Sequence, residues 1–373
     1  MKRPADINKI RAAKEMSRRE FLWATIASGG LASGYFRAQN VPGSGPPANF
    51  APGIAPVDEG AKALVTKNID FFIRNHFRTP TINEDKWSLE ISGMVAKPQR
   101  LSYSDLLLTS SVRHPLTLEC AGNPSGGGGV STAVWSGIPL AELLKGAGLH
   151  SGATTVVFHG ADSGQGEDVP PGTHFARAIP LEKALDPSTL LAYEMNGAPL
   201  PADHGFPLRA LVPGWYGMDS VNWLTRIEVL QEPFNGIFQE ERYVAVKASG
   251  ERQTITRIRV NSKFLRPSNE EEIRGKTYRV EGVAWAGESK VSRVELRFDQ
   301  AAGWEPAMLA DSPAALVWTP WSYEWRIPHP GQYTLEVRAV DNEGHAQPAA
   351  RDPDRKDAYE LNTPHRISVS VRP

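Results

Sequence analysis

The chain has 373 residues and a formal net charge of −1, because 41 lysines and arginines stand against 42 aspartates and glutamates. A chain with so little net charge and no basic stripe is not built to bind the polyanionic surface of nucleic acid, and its length suits two domains. Its single cysteine, Cys120, excludes a disulfide within the chain.

The N-terminal residues have the pattern of an export signal. Arg18 and Arg19 precede Phe21 and a weakly apolar run of small residues over 23–36. This pattern predicts a twin-arginine signal over residues 1–40, with an ordinary amphipathic helix start as the alternative. The run is too short and too rich in glycine to span a bilayer, which takes about 20 apolar residues. Because the twin-arginine route exports folded proteins, we expect a periplasmic protein that receives a cofactor before export and has no stable membrane insertion afterwards.

The remainder divides by composition into a connector and two domains. Residues 41–63 are rich in proline and glycine and predict a connector without helix or central strand. From 64 to 240, short strand patterns alternate with short helix patterns, which is typical of a mixed α and β domain. From 241 to 373, short alternating segments follow one another with turn residues between them, which predicts a β-sandwich. Its clearest strand patterns lie at 278–285, 291–298 and 333–340.

Local signals place three elements of the first domain. Alternating apolar residues predict a strand over 87–93. Ser102 predicts the N-cap of a short helix that runs to residue 108. Pro139 fits the first turn of a further helix, which we expect to end at Gly146.

Four segments of the first domain carry polar residues next to apolar stretches, where a hydrophobic core alone would not require them. Taken singly, each has an ordinary explanation: a free cysteine is often a small buried hydrophobe, and histidines and arginines often serve as satisfied polar or ion-pair partners. A cysteine thiolate is also a soft ligand that suits a transition metal. The segments are Arg74-Asn75-His76, Cys120 with Asn123, His204 with Arg209, and the aromatic-rich loop 212–223.

Together these segments resemble the sulfite oxidase family of molybdenum enzymes, whose cofactor is a molybdopterin. The resemblance runs from about Phe71 to the C-terminus. It implies an α+β protein, in which a mixed α/β molybdopterin domain is followed by an immunoglobulin-like β-sandwich that forms a homodimer. The matching motifs are Phe-Phe-Ile-Arg74-Asn75-His76, Leu-Glu-Cys120-Ala-Gly-Asn123, Ala-Val-Trp135-Ser-Gly-Ile-Pro-Leu, Leu-Ala-Tyr-Glu-Met-Asn-Gly, His204-Gly-Phe-Pro-Leu-Arg209 and Val-Pro-Gly-Trp-Tyr-Gly-Met-Asp-Ser-Val-Asn222-Trp223.

The resemblance also implies roles for individual residues. Cys120 is the expected thiolate ligand of molybdenum, and Arg74 and Tyr243 are the expected substrate-facing residues. An arginine fork makes paired, charge-assisted bonds to phosphate, which suits Arg209 beside the pterin phosphate. The expected cofactor-binding set is Arg74, Asn75, His76, Cys120, Asp162, His204, Arg209 and Asn222.

Departures from the family pattern bear on the substrate. Sulfite oxidases usually have arginine shortly after the Cys-Ala-Gly-Asn motif, whereas Pro124 and Ser125 stand here. A lysine that often precedes the tryptophan of the last motif is Asn222 in this chain. Arg177 is a candidate for the missing cation, with a surface salt bridge as the alternative.

The implied reaction is oxidation of sulfite to sulfate by oxygen-atom transfer. The chain has no Cys-x-x-Cys-His motif and therefore no c-type haem of its own, so we expect the electrons to pass to a separate cytochrome c or another electron-transfer protein. One alternative keeps the cofactor but changes the sulfur chemistry to sulfane oxidation or sulfoxide reduction. Another alternative is a non-catalytic secreted binding protein.

Overall fold

The computed structural model describes residues 65–166, 169–299, 302–310 and 314–373. The predicted export signal over 1–40 and the connector over 41–63 lie outside these residues and stay predictions. No helix in the described ranges is both long and apolar enough to cross a membrane.

The first part of the chain contains short helices among many strands. Its helices are α1 (Tyr103–Leu107), α2 (Leu140–Ala147) and α3 (Leu181–Ala184), with single 3-10 turns at Ala202–His204 and Gly217–Asp219 and a π-helical turn at Phe238–Arg242. Its strands are β1 (Ser88–Gly93), β2 (Gln99–Ser102), β3 (Val112–Glu119), β4 (Val130–Pro139), β5 (Thr155–Gly166), β6 (Val169–Pro180), β7 (Leu190–Met195), β8 (Ala198–Pro199), β9 (Arg209–Leu211), β10 (Leu224–Leu230), β11 (Val244–Val246) and β12 (Arg252–Thr254).

Two large sheets organise this part, and β11 and β12 form a separate two-stranded sheet. One large sheet has the strand order β2-β1-β10-β5-β6, and the other has the order β3-β4-β7-β8 with β9 also paired to β7. Strand β4 is buried along nearly its whole length, which is typical of a strand covered on both faces. In the β3–β4 hairpin Glu119 pairs with Val130, so Cys120 is the first residue beyond the end of the ladder.

The local predictions for the helices are confirmed at their starts. Ser102 caps α1 through a capping box with Asp105, and Pro139 directly precedes α2. The predicted end of α2 at Gly146 is wrong. The helix continues to Ala147, because Gly148 adopts a left-handed φ of 71° and its N–H donates to the carbonyls of Leu144 and Lys145.

The second part is a β-sandwich, as the alternating segments predict. Its strands are β13 (Asn261–Arg266), β14 (Glu272–Arg274), β15 (Thr277–Trp285), β16 (Val291–Phe298), β17 (Glu305–Pro306), β18 (Met308–Leu309), β19 (Thr319–Arg326), β20 (Gly331–Asp341) and β21 (His365–Arg372). One sheet has the order β13-β15-β19-β18 and the other has the order β14-β21-β20-β16-β17. Alternate residues of both sheets form one apolar cluster, which contains Trp321, Trp325 and Leu335. The chain thus has the predicted α+β architecture.

A glycine at the end of β1 is required by the pairing of β1 with β10. Gly93 has a φ of +88°, and a Cβ atom built there would lie 2.1 Å from the carbonyl oxygen of Val229. We expect Gly93→Ala to lower the free energy of unfolding in urea by about 3 kcal/mol or more, from backbone strain and collision together. Gly172→Ala is the control, because Gly172 has a φ of +78° with nothing within 4 Å. A loss no larger than the control's would show that the β1–β10 edge absorbs the added methyl group.

Candidate active site

All nine residues predicted to bind cofactor or substrate line a single cleft. They come from strand ends and loops that are far apart in the sequence, and the two sheets of the first part bring them together. They are Arg74, Asn75, His76, Cys120, Asp162, His204, Arg209, Asn222 and Tyr243. The structure thus assembles the predicted set, while the role of each member stays a prediction.

Cys120 is held in a hydrogen-bonded loop at the end of β3. Its N–H donates to the carbonyl of Gly129 at 2.8 Å, and its carbonyl accepts from the N–H of Asn123 at 2.9 Å. The side chain of Asn123 closes the loop by accepting from the N–H of Gly129 at 2.9 Å. The half-buried thiol is therefore presented to the cleft from a fixed backbone.

The described residues alone do not surround this thiol with further metal-binding side chains. Within the described ranges, no group of three or more histidine, cysteine, aspartate or glutamate residues is arranged to hold a metal ion. A metal bound at Cys120 would therefore not find a ready set of further histidine, cysteine or carboxylate ligands among the described residues. A cofactor that brings its own sulfur ligands, as a molybdopterin does, would supply such ligands.

Arg209 is a buried cation without a carboxylate partner among the described residues. It is 5% exposed, and its guanidinium donates to the carbonyls of His204 at 3.2 Å and Ser220 at 3.1 Å. Burial lowers the pKa of Arg209 to about 9, because the cation is removed from water without a countercharge. This is the environment of an anion-binding arginine.

Among the described residues that line the cleft, three buried polar atoms have no hydrogen-bond partner. They are Nε of Arg209, Oδ1 of Asp162 and Oδ1 of Asn222. Such atoms are costly unless a ligand satisfies them. A pterin carries N–H groups that suit the two oxygens and a phosphate that suits the arginine, so the residues present fit molybdopterin.

His204 and Asp162 support this assignment by their environments. Nε2 of His204 lies 3.1 Å from the carbonyl of Asn68, so this nitrogen carries a proton that it donates. Burial and the charge of Arg209 lower the pKa of His204. Burial raises the pKa of Asp162 to about 6, which a pterin N–H donor would counteract.

A neutral pair lines the same cleft as Cys120. Nε2 of His76 is hydrogen-bonded to the hydroxyl of Tyr243, and Phe175 stacks on the imidazole with ring centres 4.1 Å apart. Burial, aided by the charges of Arg74 and Arg177, lowers the pKa of His76 to about 3. Burial also raises the pKa of Tyr243 well above its ordinary value. Both side chains are therefore uncharged at neutral pH.

Arg74 is the exposed cation of the cleft. Of the described residues that line it, Arg74 and Arg209 are the arginines and none is a lysine. Arg74 is exposed, and its Nη1 donates to the carbonyl of Asn75 at 2.6 Å. An anionic substrate that enters the cleft therefore meets Arg74.

No cation comes from the segment after Asn123. The hydroxyl of Ser125 lies 2.9 Å from that of Thr363 in the second part of the chain, so this segment packs against the β-sandwich. Arg177 is not among the cleft residues either, and its interpretation as a surface salt bridge is wrong. Arg177 is fully buried and its Nε donates to Asp219 at 2.8 Å, a pairing across 42 positions that no local pattern reveals.

Glu119, which is not among the predicted site residues, connects the Cys120 loop to the β-sandwich. Its buried carboxylate accepts from Nε1 of Trp285 at 2.8 Å, from Nδ2 of Asn261 at 3.3 Å and from Nδ2 of Asn123 at 3.0 Å. Burial raises the pKa of Glu119 to about 7. A carboxylate at the end of β3, directly after Leu118 and before Cys120, was the available signal. Phe175 was also missed, and nothing local distinguishes it from a core residue.

His365 joins two strands within the β-sandwich, β21 and β13, and predicts a pH dependence of stability. Its Nδ1 accepts from the N–H of Phe264 at 3.1 Å, which requires an unprotonated nitrogen. Burial and the charge of Lys263 lower the pKa of His365 to about 4. The folded state therefore disfavours protonation, so this contribution is complete above about pH 6.5 and is lost as the pH falls towards 4.

We expect the loss to be about 2 kcal/mol, after allowance for partial solvent screening. It is measured as the free energy of unfolding in urea between pH 4.5 and 7.5. His365→Asn keeps an acceptor but does not titrate, so its stability is expected to fall less steeply with acid. Because other histidines titrate in both proteins, the test compares the slopes of unfolding free energy against pH for the wild type and His365→Asn. Equal slopes would rule out His365 as the source of the pH dependence.

Comparisons with known proteins show similarity to molybdopterin-binding oxidoreductases. Residues 76–238 match the family model described as an oxidoreductase molybdopterin binding domain, and residues 252–370 match a Mo-co oxidoreductase dimerisation domain. The mitochondrial sulfite oxidase of Homo sapiens is 33% identical over 344 residues, covering 83% of this chain and 62% of that protein. Nitrate reductase [NADH] 1 of Arabidopsis thaliana is 33% identical over 275 residues, covering 62% of this chain and 29% of that protein.

A solved structure shares the fold. The sulfane dehydrogenase SoxCD from Paracoccus pantotrophus aligns with a TM-score of 0.75 at 23% identity, covering 83% of this chain and 84% of that chain. The present chain spans about 62% of the length of the sulfite oxidases that it matches.

Proposed function

Because the chain belongs to the sulfite oxidase family of molybdopterin-binding oxidoreductases, we propose that it oxidises sulfite to sulfate. The observation that carries this proposal is the placement of an exposed cation, Arg74, in the same cleft as the Cys120 thiol and the neutral hydroxyl of Tyr243. An anion can be bound there beside a soft metal ligand. When bound, the cofactor supplies a molybdenum centre that transfers an oxygen atom and takes up two electrons.

The residues of the chain bind and orient the reactants. Arg74 would attract and hold the sulfite anion, and the hydroxyl of Tyr243 would hydrogen-bond one of its oxygens. His76 keeps that hydroxyl in place as an uncharged partner. Overall, sulfite and water give sulfate, two protons and two electrons.

The electrons leave the chain to a separate acceptor in this proposal. We infer a c-type cytochrome or a comparable electron-transfer protein as that acceptor, in the periplasm if residues 1–40 act as the export signal. Residues 64–240 would hold the cofactor and residues 241–373 would form the homodimer, which the match to a dimerisation domain supports. The cleft lined by all nine predicted site residues argues against a non-catalytic binding protein.

The test uses full-length protein produced in a molybdenum-replete host and assayed with sulfite and oxidised cytochrome c. We expect cytochrome reduction that depends on both sulfite and protein. Protein from the same host grown with tungstate is the matched control and is expected to be inactive. Molybdenum-loaded protein that reduces neither cytochrome c nor ferricyanide at millimolar sulfite would refute the proposal.

A second candidate keeps the cofactor and changes the sulfur substrate to a sulfane or a sulfoxide. The absence of a cation at Pro124 and Ser125 favours it, because the anion site then has one exposed arginine. The fold shared with a sulfane dehydrogenase is compatible with it. Turnover of a sulfane or a sulfoxide by the loaded protein, with no turnover of sulfite, would select this candidate.

A further inference from the structure

Arg177 is a fully buried arginine directly behind Tyr243. Its Nε donates to Oδ1 of Asp219 at 2.8 Å, and its Cζ lies 5.6 Å from the centre of the Tyr243 ring. The other guanidinium nitrogens donate to two backbone carbonyls, Nη1 to Phe238 and Nη2 to Ile255 at 3.4 Å. The planar fork of arginine thus contacts three chain segments at once.

The two carbonyls belong to the segments that fix the backbone of Tyr243. Phe238 begins the π-helical turn that ends at Arg242, directly before Tyr243. The N–H of Ile255 donates to the carbonyl of Tyr243 at 2.9 Å. Arg177 therefore holds the segment that leads into Tyr243 and the residue that pairs with it.

The ion pair between Arg177 and Asp219 is fully buried, which costs free energy of desolvation. Asp219 is fully buried, and its Oδ2 has no hydrogen-bond partner in the part of the chain that the structure describes. A buried ion pair contributes little stability compared with apolar residues of similar volume, because both charges lose their hydration. Stability alone therefore does not account for this pair, whereas a fixed three-way fork beside a substrate-facing phenol does.

We propose that Arg177 is a positioning residue for Tyr243: it fixes the phenol and its hydrogen bond to His76 in the geometry that contacts substrate. The inference rests on the proposed function in one respect, the assignment of Tyr243 to the substrate. Arg177 does not line the cleft and acts through Tyr243.

The first test needs no substrate. 3-Fluorotyrosine is placed at position 243 of the holoprotein, and its fluorine resonance is compared between the wild type and Arg177→Lys. Lysine keeps the charge but has a single head that cannot span the three acceptors, so we expect the resonance to shift or broaden. An unchanged resonance would overturn the proposal, whatever the enzyme oxidises.

The control for this test is Lys183→Met. Lys183 is also a buried cation, and its Nζ donates to the carbonyl of Pro213 at 2.9 Å and to Glu288 at 2.7 Å, neither of which is a described ring or side-chain contact of Tyr243. This variant is expected to leave the fluorine resonance unchanged. A shift as large as that of Arg177→Lys would show a general response to loss of a buried cation and would overturn the proposal.

The second test is a double-mutant cycle on kcat/KM. In the background that keeps Tyr243, we expect Arg177→Lys to lower kcat/KM about 10- to 100-fold, because a catalytic contact misplaced by about 1 Å costs a rate factor of that size. In the Tyr243→Phe background the same change is expected to cost less than about twofold, because the positioned hydroxyl is already gone. Equal losses in both backgrounds would overturn the proposal.

If the Arg177→Lys protein does not fold, a double variant that removes both charges of the ion pair is used in its place. This double variant, Arg177→Met/Asp219→Asn, leaves no buried charge unpaired. Its fluorine resonance and its kcat/KM are compared with those of the wild type in the same way. If the wild type does not oxidise sulfite, the proposed function fails, while the fluorine resonance still decides the role of Arg177.

Discussion

Cys120→Ser is expected to abolish turnover while the protein still folds and forms the same oligomer. Serine nearly matches cysteine in size, and the loop is held by backbone bonds between Cys120 and Gly129 that the change does not touch. The hydroxyl is a hard, weakly acidic ligand and does not replace a soft thiolate. Loss of outer-shell partners alone commonly costs about 10- to 100-fold in metal sites, so loss of a direct ligand should exceed about 100-fold in kcat.

The measurement is steady-state turnover per bound molybdenum, with circular dichroism and gel filtration to establish the fold and oligomeric state. Gly128→Ser is the control, because it places a hydroxyl in the same loop at a position with nothing within 4 Å. The control is expected to keep wild-type turnover. Substantial turnover by molybdenum-loaded Cys120→Ser would show that Cys120 is not the metal ligand.

Arg209→Met is expected to have opposite effects on the protein with and without cofactor. In the protein alone Arg209 is a buried cation bonded to neutral carbonyls, so its removal relieves a desolvation cost. In the cofactor complex the guanidinium would face the pterin phosphate, and loss of a charge-assisted contact costs about 3 kcal/mol, or roughly 100-fold in affinity. The variant should therefore be at least as stable as the wild type without cofactor, and should retain far less pterin.

Two measurements establish this result: thermal unfolding of cofactor-free protein, and pterin content of purified protein by fluorescence after oxidation. Arg113→Met, at an exposed arginine of β3, is the matched control and should change neither. If Arg209→Met retains as much pterin as the wild type, Arg209 does not bind the pterin phosphate.

The features predicted from the sequence are those with local signals. The strand at 87–93 and the capped start of α1 depend on neighbouring residues, and both are confirmed. The end of α2 was misplaced because Gly146 and Gly148 are both possible stop signals, and the choice depends on which one adopts a left-handed conformation.

The candidate site was predicted from motifs, whereas its supporting contacts were not. The motif residues converge on one cleft although they lie as far apart in sequence as Arg74 and Tyr243. The partner of Arg177 and the bonds from Trp285 and Asn261 to Glu119 cross long sequence separations, and spacing alone carries no information about them. These contacts become visible only when the fold is known.

X-ray absorption at the molybdenum K-edge tests the central claim most directly, since it counts the sulfur atoms bound to the metal. If Cys120 is the protein ligand of a molybdopterin-bound molybdenum, the spectrum of Cys120→Ser will show one sulfur neighbour fewer than that of the wild type, at equal molybdenum content. The same number of sulfur neighbours in both proteins would contradict the account.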